Sequence, residues 1–150
     1  MSLPQLSLLC FTLAFMSGCS AESAQPTLPN DIVLYPPDDG YAATVAEVPG
    51  LDGYHTVTIV KGDVFLLRGT VFNGGWHGNK TITNGKLTVS EHWCEGKILS
   101  SVGTIGATTV SVVEYRNGSP IVSYNYNESG TVTSVFDFDE NGRAHARSKK

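Results

Sequence analysis

The residues best suited to chemistry lie in three short stretches. Asp137, Asp139 and Asn141 precede Gly142 with D-x-D-x-N-G spacing. That pattern turns alternate side-chain oxygens of a tight loop toward one point, as in the opening of a calcium loop. The twelfth position of such a loop requires an acid, and here it is Ser148. The competing reading is therefore an Asx-rich hairpin turn with Gly142 at positive φ. His92 and Cys94 share one face of a strand-like run and offer two metal ligands. A zinc site needs two more, and His55, His77 and His145 are scattered. The third stretch, residues 72–80 (FNGGWHGNK), reads as a glycine-rich loop carrying a large amphipathic ring. Trp is a favoured anchor at interfaces, so Trp76, His77 and Asn79 are the candidate partner-binding residues. The alternative is that Trp76 folds back as a lid on the core.

Catalytic apparatus is absent from the sequence. It has no G-x-S-x-G elbow, no P-loop and no dinucleotide fingerprint. The paired carboxylates Asp38 and Asp39 sit in a proline-rich stretch where nothing would desolvate either one. The reading is a non-enzyme with no cofactor, calcium being the one candidate. The net charge of -4 is mild and argues against nucleic acid as a partner, which requires a concentrated basic surface. Arg143, Arg147, Lys149 and Lys150 gather at the end, and residues 144–150 read as a basic tail.

The elements that must position these residues are strands. Valine and threonine are abundant, sixteen glycines punctuate the chain, and no stretch of the mature region has helical periodicity. Strand-like runs cover residues 42–48, 55–60, 64–72, 86–94, 97–102, 108–115, 121–127 and 131–138. Val57 and Ile59 alternate with threonines, whereas residues 64–72 are apolar on both faces, as in a strand covered on two sides. Leu87, Val89 and Trp93 share one face, and Asn84-Gly85 signals a hairpin. Tyr124, Tyr126, Phe136 and Phe138 are placed to form cross-strand aromatic pairs. The expected fold is all-β: an antiparallel meander of about nine short strands curled into a sandwich or open barrel, spanning residues 41–143.

Residues 112–147 repeat on a fixed period. Gly118, Gly130 and Gly142 fall 12 positions apart, following Asn117, Ser129 and Asn141, one strand and one turn per unit. Units of the form aromatic-x-x-x-Gly resemble the MORN-like repeats of the antitoxin-repeat family, and YNYNESGTVTSVFDFDENGRA also resembles the tyrosine-aspartate repeats of polymorphic toxins. The resemblance implies a strand-turn meander used for binding rather than catalysis, in some such proteins as an antidote to a toxin.

The N-terminal residues 1–18 carry no charge, and an apolar run from Leu8 to Met16 ends at Ser17-Gly18-Cys19. That run is too short to span a bilayer and suits the hydrophobic region of an export signal. The sequence MSGCS resembles the bacterial lipobox, which implies lipid attachment at Cys19. Ser20 after the cysteine fits outer-membrane sorting. An ordinary signal cleaved after Ala24 is the alternative. Cys94 would then be the lone thiol of the domain, expected to be buried. Residues 19–40, with four prolines from Pro26 to Pro37, are expected to be a lipidated N-terminus and an extended tether.

Together these features predict a periplasmic lipoprotein, anchored to a membrane and to the outer membrane in preference. It would bind another protein, a toxin or hydrolase, and neutralise it by occlusion as an immunity protein or inhibitor. The rival readings are a structural or accessory envelope lipoprotein, acting in assembly or surface exclusion, and a calcium-dependent ligand-binding module.

Overall fold

The computed structural model describes residues 26–148, so the expected signal and Cys19 lie outside the described residues. Ten strands follow one another: β1 (Tyr41–Glu47), β2 (Tyr54–Lys61), β3 (Val64–Phe72), β4 (Gly75–Asn84), β5 (Leu87–Cys94), β6 (Lys97–Ile105), β7 (Thr108–Arg116), β8 (Ser119–Tyr126), β9 (Val132–Phe138) and β10 (Ala144–Ala146). They form one antiparallel sheet in sequence order, which is not closed. The all-β meander is as expected. Two strands differ from the sequence reading. β4 occupies residues read as a loop, and β10 occupies residues read as tail.

The glycines of β4 explain the first difference. Gly75 lies so close to Gly96 that an added Cβ would stand 3.0 Å from its Cα. Gly78, at φ 70°, sits in the bulge where pairing with β3 jumps from His77 to Lys80. These residues serve close backbone approach and a bulge, both of which occur inside strands.

Hairpin chemistry alternates along the sheet. At one end Asn73-Gly74, Glu95-Gly96 and Asn117-Gly118 have positive φ at both central residues, the pattern of type I′ turns. At the other end Gly62-Asp63, Gly85-Lys86 and Gly106-Ala107 have it only at the glycine, the pattern of type II′. Asn84 is thus the last residue of its strand, paired with Leu87, rather than part of the turn. Both turn types match the right-handed twist of the strands they join.

The core is thin and lies at the N-terminal end of the sheet. Val57, Ile59, Leu67, Val71 and Trp76 are almost wholly buried. Their cover is residues 26–40, which form two short 3-10 turns, Asn30–Leu34 and Pro37–Asp39. Leu28, Ile32 and Tyr35 pack on the core from this segment. The tether expectation is corrected here: residues 26–40 are a strap across one sheet face, held by three apolar side chains that an extended spacer would leave in water. The two-sided cover expected for residues 64–72 is also corrected. Leu67 and Val71 are buried under the strap, whereas Val64 and Phe65 stand exposed.

The aromatic row does not align. Phe136 pairs with Ser123 and Tyr124 with Val135, so Tyr124 and Phe136 point to opposite faces.

Candidate functional site

Under the strap the sheet carries a charged cluster built on successive strands. Register places Trp76 opposite Val71, Lys80 opposite Gly69, and Glu91 opposite Lys80, all on the strap face. The Lys80 Nζ donates to Asp31 Oδ2 at 2.7 Å and lies 3.5 Å from Glu91 Oε2. Its side chain is 5% exposed, against 38% for Asp31 and 16% for Glu91. Two indoles complete the surroundings. Trp76 Nε1 donates to both Asp31 oxygens (2.9 and 3.0 Å), and Trp93 Nε1 donates to Glu91 Oε2 (2.9 Å). The ammonium stands 4.5 Å from the Trp76 ring centre and 5.2 Å from that of Trp93. A buried lysine is tolerated because two carboxylates and two ring faces replace its water. Tyr35 borders the group, and burial, followed by the Asp31, Tyr41 and Glu91 charges, raises its hydroxyl above the usual tyrosine value.

The cluster has no open nucleophile and each carboxylate already accepts from an indole. Its chemistry is fastening: Asp31 is the strap's charged contact with the sheet. Sequence reasoning missed Asp31, Lys80, Glu91 and Trp93 as a group. The available signals were Glu91 between Val89 and Trp93 on an apolar face, and the spacing of Leu28, Ile32 and Tyr35.

The opposite, open face carries a different surface. Tyr54 stacks on Phe72 (centroids 4.3 Å apart, planes 17° apart), and His77 stands edge-on to both at 5.4 and 6.2 Å. The His77 Nδ1 is buried without a hydrogen-bond partner. Beside it, His92 Nδ1 donates to Asn79 Oδ1 at 3.1 Å. Thr56, Phe65, Arg68, Thr70, Asn79 and Thr81 line a shallow depression next to this group.

The three expected binding residues are thus divided. His77 and Asn79 reach the open face, while Trp76 is 3% exposed on the strap face, folded onto the core as a lid. Strand alternation causes the division, since consecutive side chains leave a strand on opposite sides. Cys94 is exposed rather than buried, and it makes no disulfide. His92 is engaged by Asn79, and no group of three His, Cys, Asp or Glu suited to a metal occurs among the described residues.

At the far end of the sheet, the D-x-D-x-N-G stretch forms a side-chain-closed turn. Asp139 Oδ1 accepts from the backbone N–H groups of Asn141 and Arg143, each at 2.9 Å, and Oδ2 contacts His145 Nε2 at 3.1 Å. Asn127 closes the preceding turn in the same way, accepting from Ser129 and Thr131. Asp137 forms a two-point ion pair with Arg147. Both carboxylates read as calcium ligands are thereby committed to the β9–β10 hairpin, and Asn141 enters through its backbone N–H.

The Arg147 hydrogen bond holds Asp137 below the usual carboxylate range, and the Arg143 backbone hydrogen bond, then His145, does the same for Asp139. A depressed folded pKa gives stability that is complete above the unfolded value and lost as pH falls through the folded one. The β9–β10 hairpin is therefore expected to loosen below about pH 4, near the unfolded aspartate pKa. Amide exchange in residues 136–147, followed across that range, checks it. Arg147→Gln should move the Asp137 part of the transition toward the unfolded pKa, and an unchanged profile would contradict the assignment.

No family model matches the chain, and no curated protein matches it. Among solved structures, a crystal structure of TarM is similar at 9% identity with a TM-score of 0.39, over 78% of this chain and 21% of that one. A point mutant of the S. aureus TarM with fondaparinux, alpha-GlcNAc-glycerol and UDP gives the same identity and score. Accessory secretory protein 1, 2 and 3 of Streptococcus pneumoniae is similar at 12% identity and a TM-score of 0.31, over 81% of this chain and 21% of that one. The chain spans about a fifth of the structures it resembles, and at these scores the likeness does not bear on function.

Proposed function

We propose that the protein is an envelope-tethered binding lipoprotein that captures another protein on its open face and blocks it, as an immunity protein or inhibitor of a toxin or hydrolase. The observation that carries this reading is the open face itself. Tyr54, Phe72 and His77 form a rigid aromatic group next to Phe65, Arg68 and Asn79. Aromatic and arginine side chains on a fixed scaffold are the usual anchors of protein recognition, and strands lose little entropy on docking. The MSGC leader and the repeat resemblance support an exported, lipid-held binder of this kind.

The test is capture from envelope and secreted fractions, followed by an activity assay on what is captured. A cell-wall hydrolase or toxin should be recovered and its activity suppressed. Arg68→Glu or His77→Ala should weaken capture by about 30-fold, the equivalent of one interfacial hot spot of about 2 kcal/mol. Recovery of no hydrolase or toxin, or binding unaffected by both variants, would overturn the proposal.

A further inference from the structure

The two edges of the sheet are built differently. The C-terminal edge is broken: β10 has three residues and covers only positions 136–138 of β9, and its neighbourhood is charged, with Asp137 bound to Arg147 and Asp139 to His145. Short, charged edges resist pairing with other strands. The N-terminal edge, β1, has none of these defences. Its seven residues, YAATVAE, pair with β2 without a bulge, and Ala42 to Glu47 are all exposed. There is no Pro, Lys or Arg, and Glu47 is its one charge. Among the described residues no strand covers its outer side.

We infer that β1 pairs with β1 of a second copy of this chain, giving a two-fold dimer with one continuous twenty-stranded sheet (ten strands from each copy). The occupant is a second copy because the strand is its own complement. In antiparallel alignment about Thr44, that residue meets itself, Ala43 meets Val45, Ala42 meets Ala46, and Tyr41 meets Glu47. The one charge meets a tyrosine, never its own copy, and a threonine pair on the axis is favourable across strands. The pairing with β2 places Ala43 and Val45 beside Ile59 and Val57, so the contact extends the apolar strap face past its present margin. Val45, now 37% exposed, becomes covered by Ala43 of the other copy.

A two-fold axis normal to the sheet is required by antiparallel edge pairing, so both straps lie on one side and both open faces on the other. An isologous contact of this kind closes at two copies, whereas pairing β1 with the opposite edge would grow a filament. A seven-residue edge contact is smaller than a standard interface, so the dimer is expected in the micromolar range.

Sedimentation equilibrium of the intact mature chain tests this. The wild type should double its mass with concentration. Thr44→Lys and Thr44→Glu, each placing like charges on the axis, should be monomers with unchanged circular dichroism. Mixing the two variants should restore a dimer, a rescue that only pairing about residue 44 produces. A wild type that stays monomeric to millimolar concentration, single variants that still dimerise, or a mixture that does not, would each overturn the inference. So would growth beyond two copies. None of these outcomes depends on what the open face binds, and capture by a monomer would leave the proposed function standing.

Discussion

Lys80→Ala is expected to lower the unfolding free energy by about 1–3 kcal/mol, less than the loss of one partner from a fully buried ion pair costs, because the carboxylates left behind are 38% and 16% exposed. The variant leaves Asp31 and Glu91 facing one another with no cation between them. It also leaves both indole faces without the ammonium that lies 4.5 and 5.2 Å from their centres. The strap should loosen before the sheet does, because Asp31 on the strap then keeps the Trp76 indole as donor but loses its cation. Amide exchange in residues 28–35 should therefore rise in this variant while that of β6 to β8 stays level. Replacing the whole set together, as Lys80→Met with Asp31→Asn and Glu91→Gln, removes the charges instead of stranding them. That triple variant is expected to be more stable than Lys80→Ala alone, since the carboxylate desolvation penalty disappears with the carboxylates. Urea midpoints of the two variants decide the matter. A triple variant weaker than the single one would show that the carboxylates hold the strap without the lysine.

Trp76→Ala is expected to cost about 3–5 kcal/mol through the cavity it opens in the thin core. Few other groups there could fill the gap, because the buried set consists of Val57, Ile59, Leu67, Val71 and the indole itself. The same ring explains Gly69. A Cβ at that position would meet the indole at 2.7 and 2.9 Å and the Lys80 Cβ at 3.2 Å. Gly69→Ala should thus destabilise by about 1–3 kcal/mol through overpacking. Combined with Trp76→Ala the glycine substitution should cost much less, because its obstacle is gone. Strict additivity in thermal or urea unfolding would remove the claim that the ring and the glycine are fitted to each other.

Much of the strand pattern is legible in the sequence. Val57 and Ile59 alternate with polar residues and lie at the centre of the core. The glycines at 118, 130 and 142 mark turns, as their spacing suggests. Asn117-Gly118 forms the type I′ hairpin that pair favours. The failures share a physical cause, which is that local composition does not report what a segment lies against. Gly74, Gly75 and Gly78 read as a flexible tip, yet two of them meet a bulge and a neighbouring backbone inside a strand. Prolines 26, 29, 36 and 37 read as a spacer, yet Leu28, Ile32 and Tyr35 between them find the core. The charged cluster was invisible for the same reason. Asp31 and Lys80 are separated by 49 residues, and only the folded strap brings them together. Of the three residues read together as a binding loop, His77 and Asn79 share the open face, whereas strand geometry sends Trp76 the other way.

The sheet's connectivity has a consequence for how the molecule comes apart. Within the sheet each strand pairs with its sequence neighbours, from β1·β2 through β9·β10, and the strap is anchored on β2 to β5. Such a ladder behaves as a chain of coupled rungs rather than a single cooperative block. Opening can start at the thinly held last rung and travel inward like a zipper, stopping where the strap begins. The same linearity makes the length of the ladder adjustable. A paired set of rungs, with one turn of each type, could be gained or lost near the loose end with little effect on the clamped one.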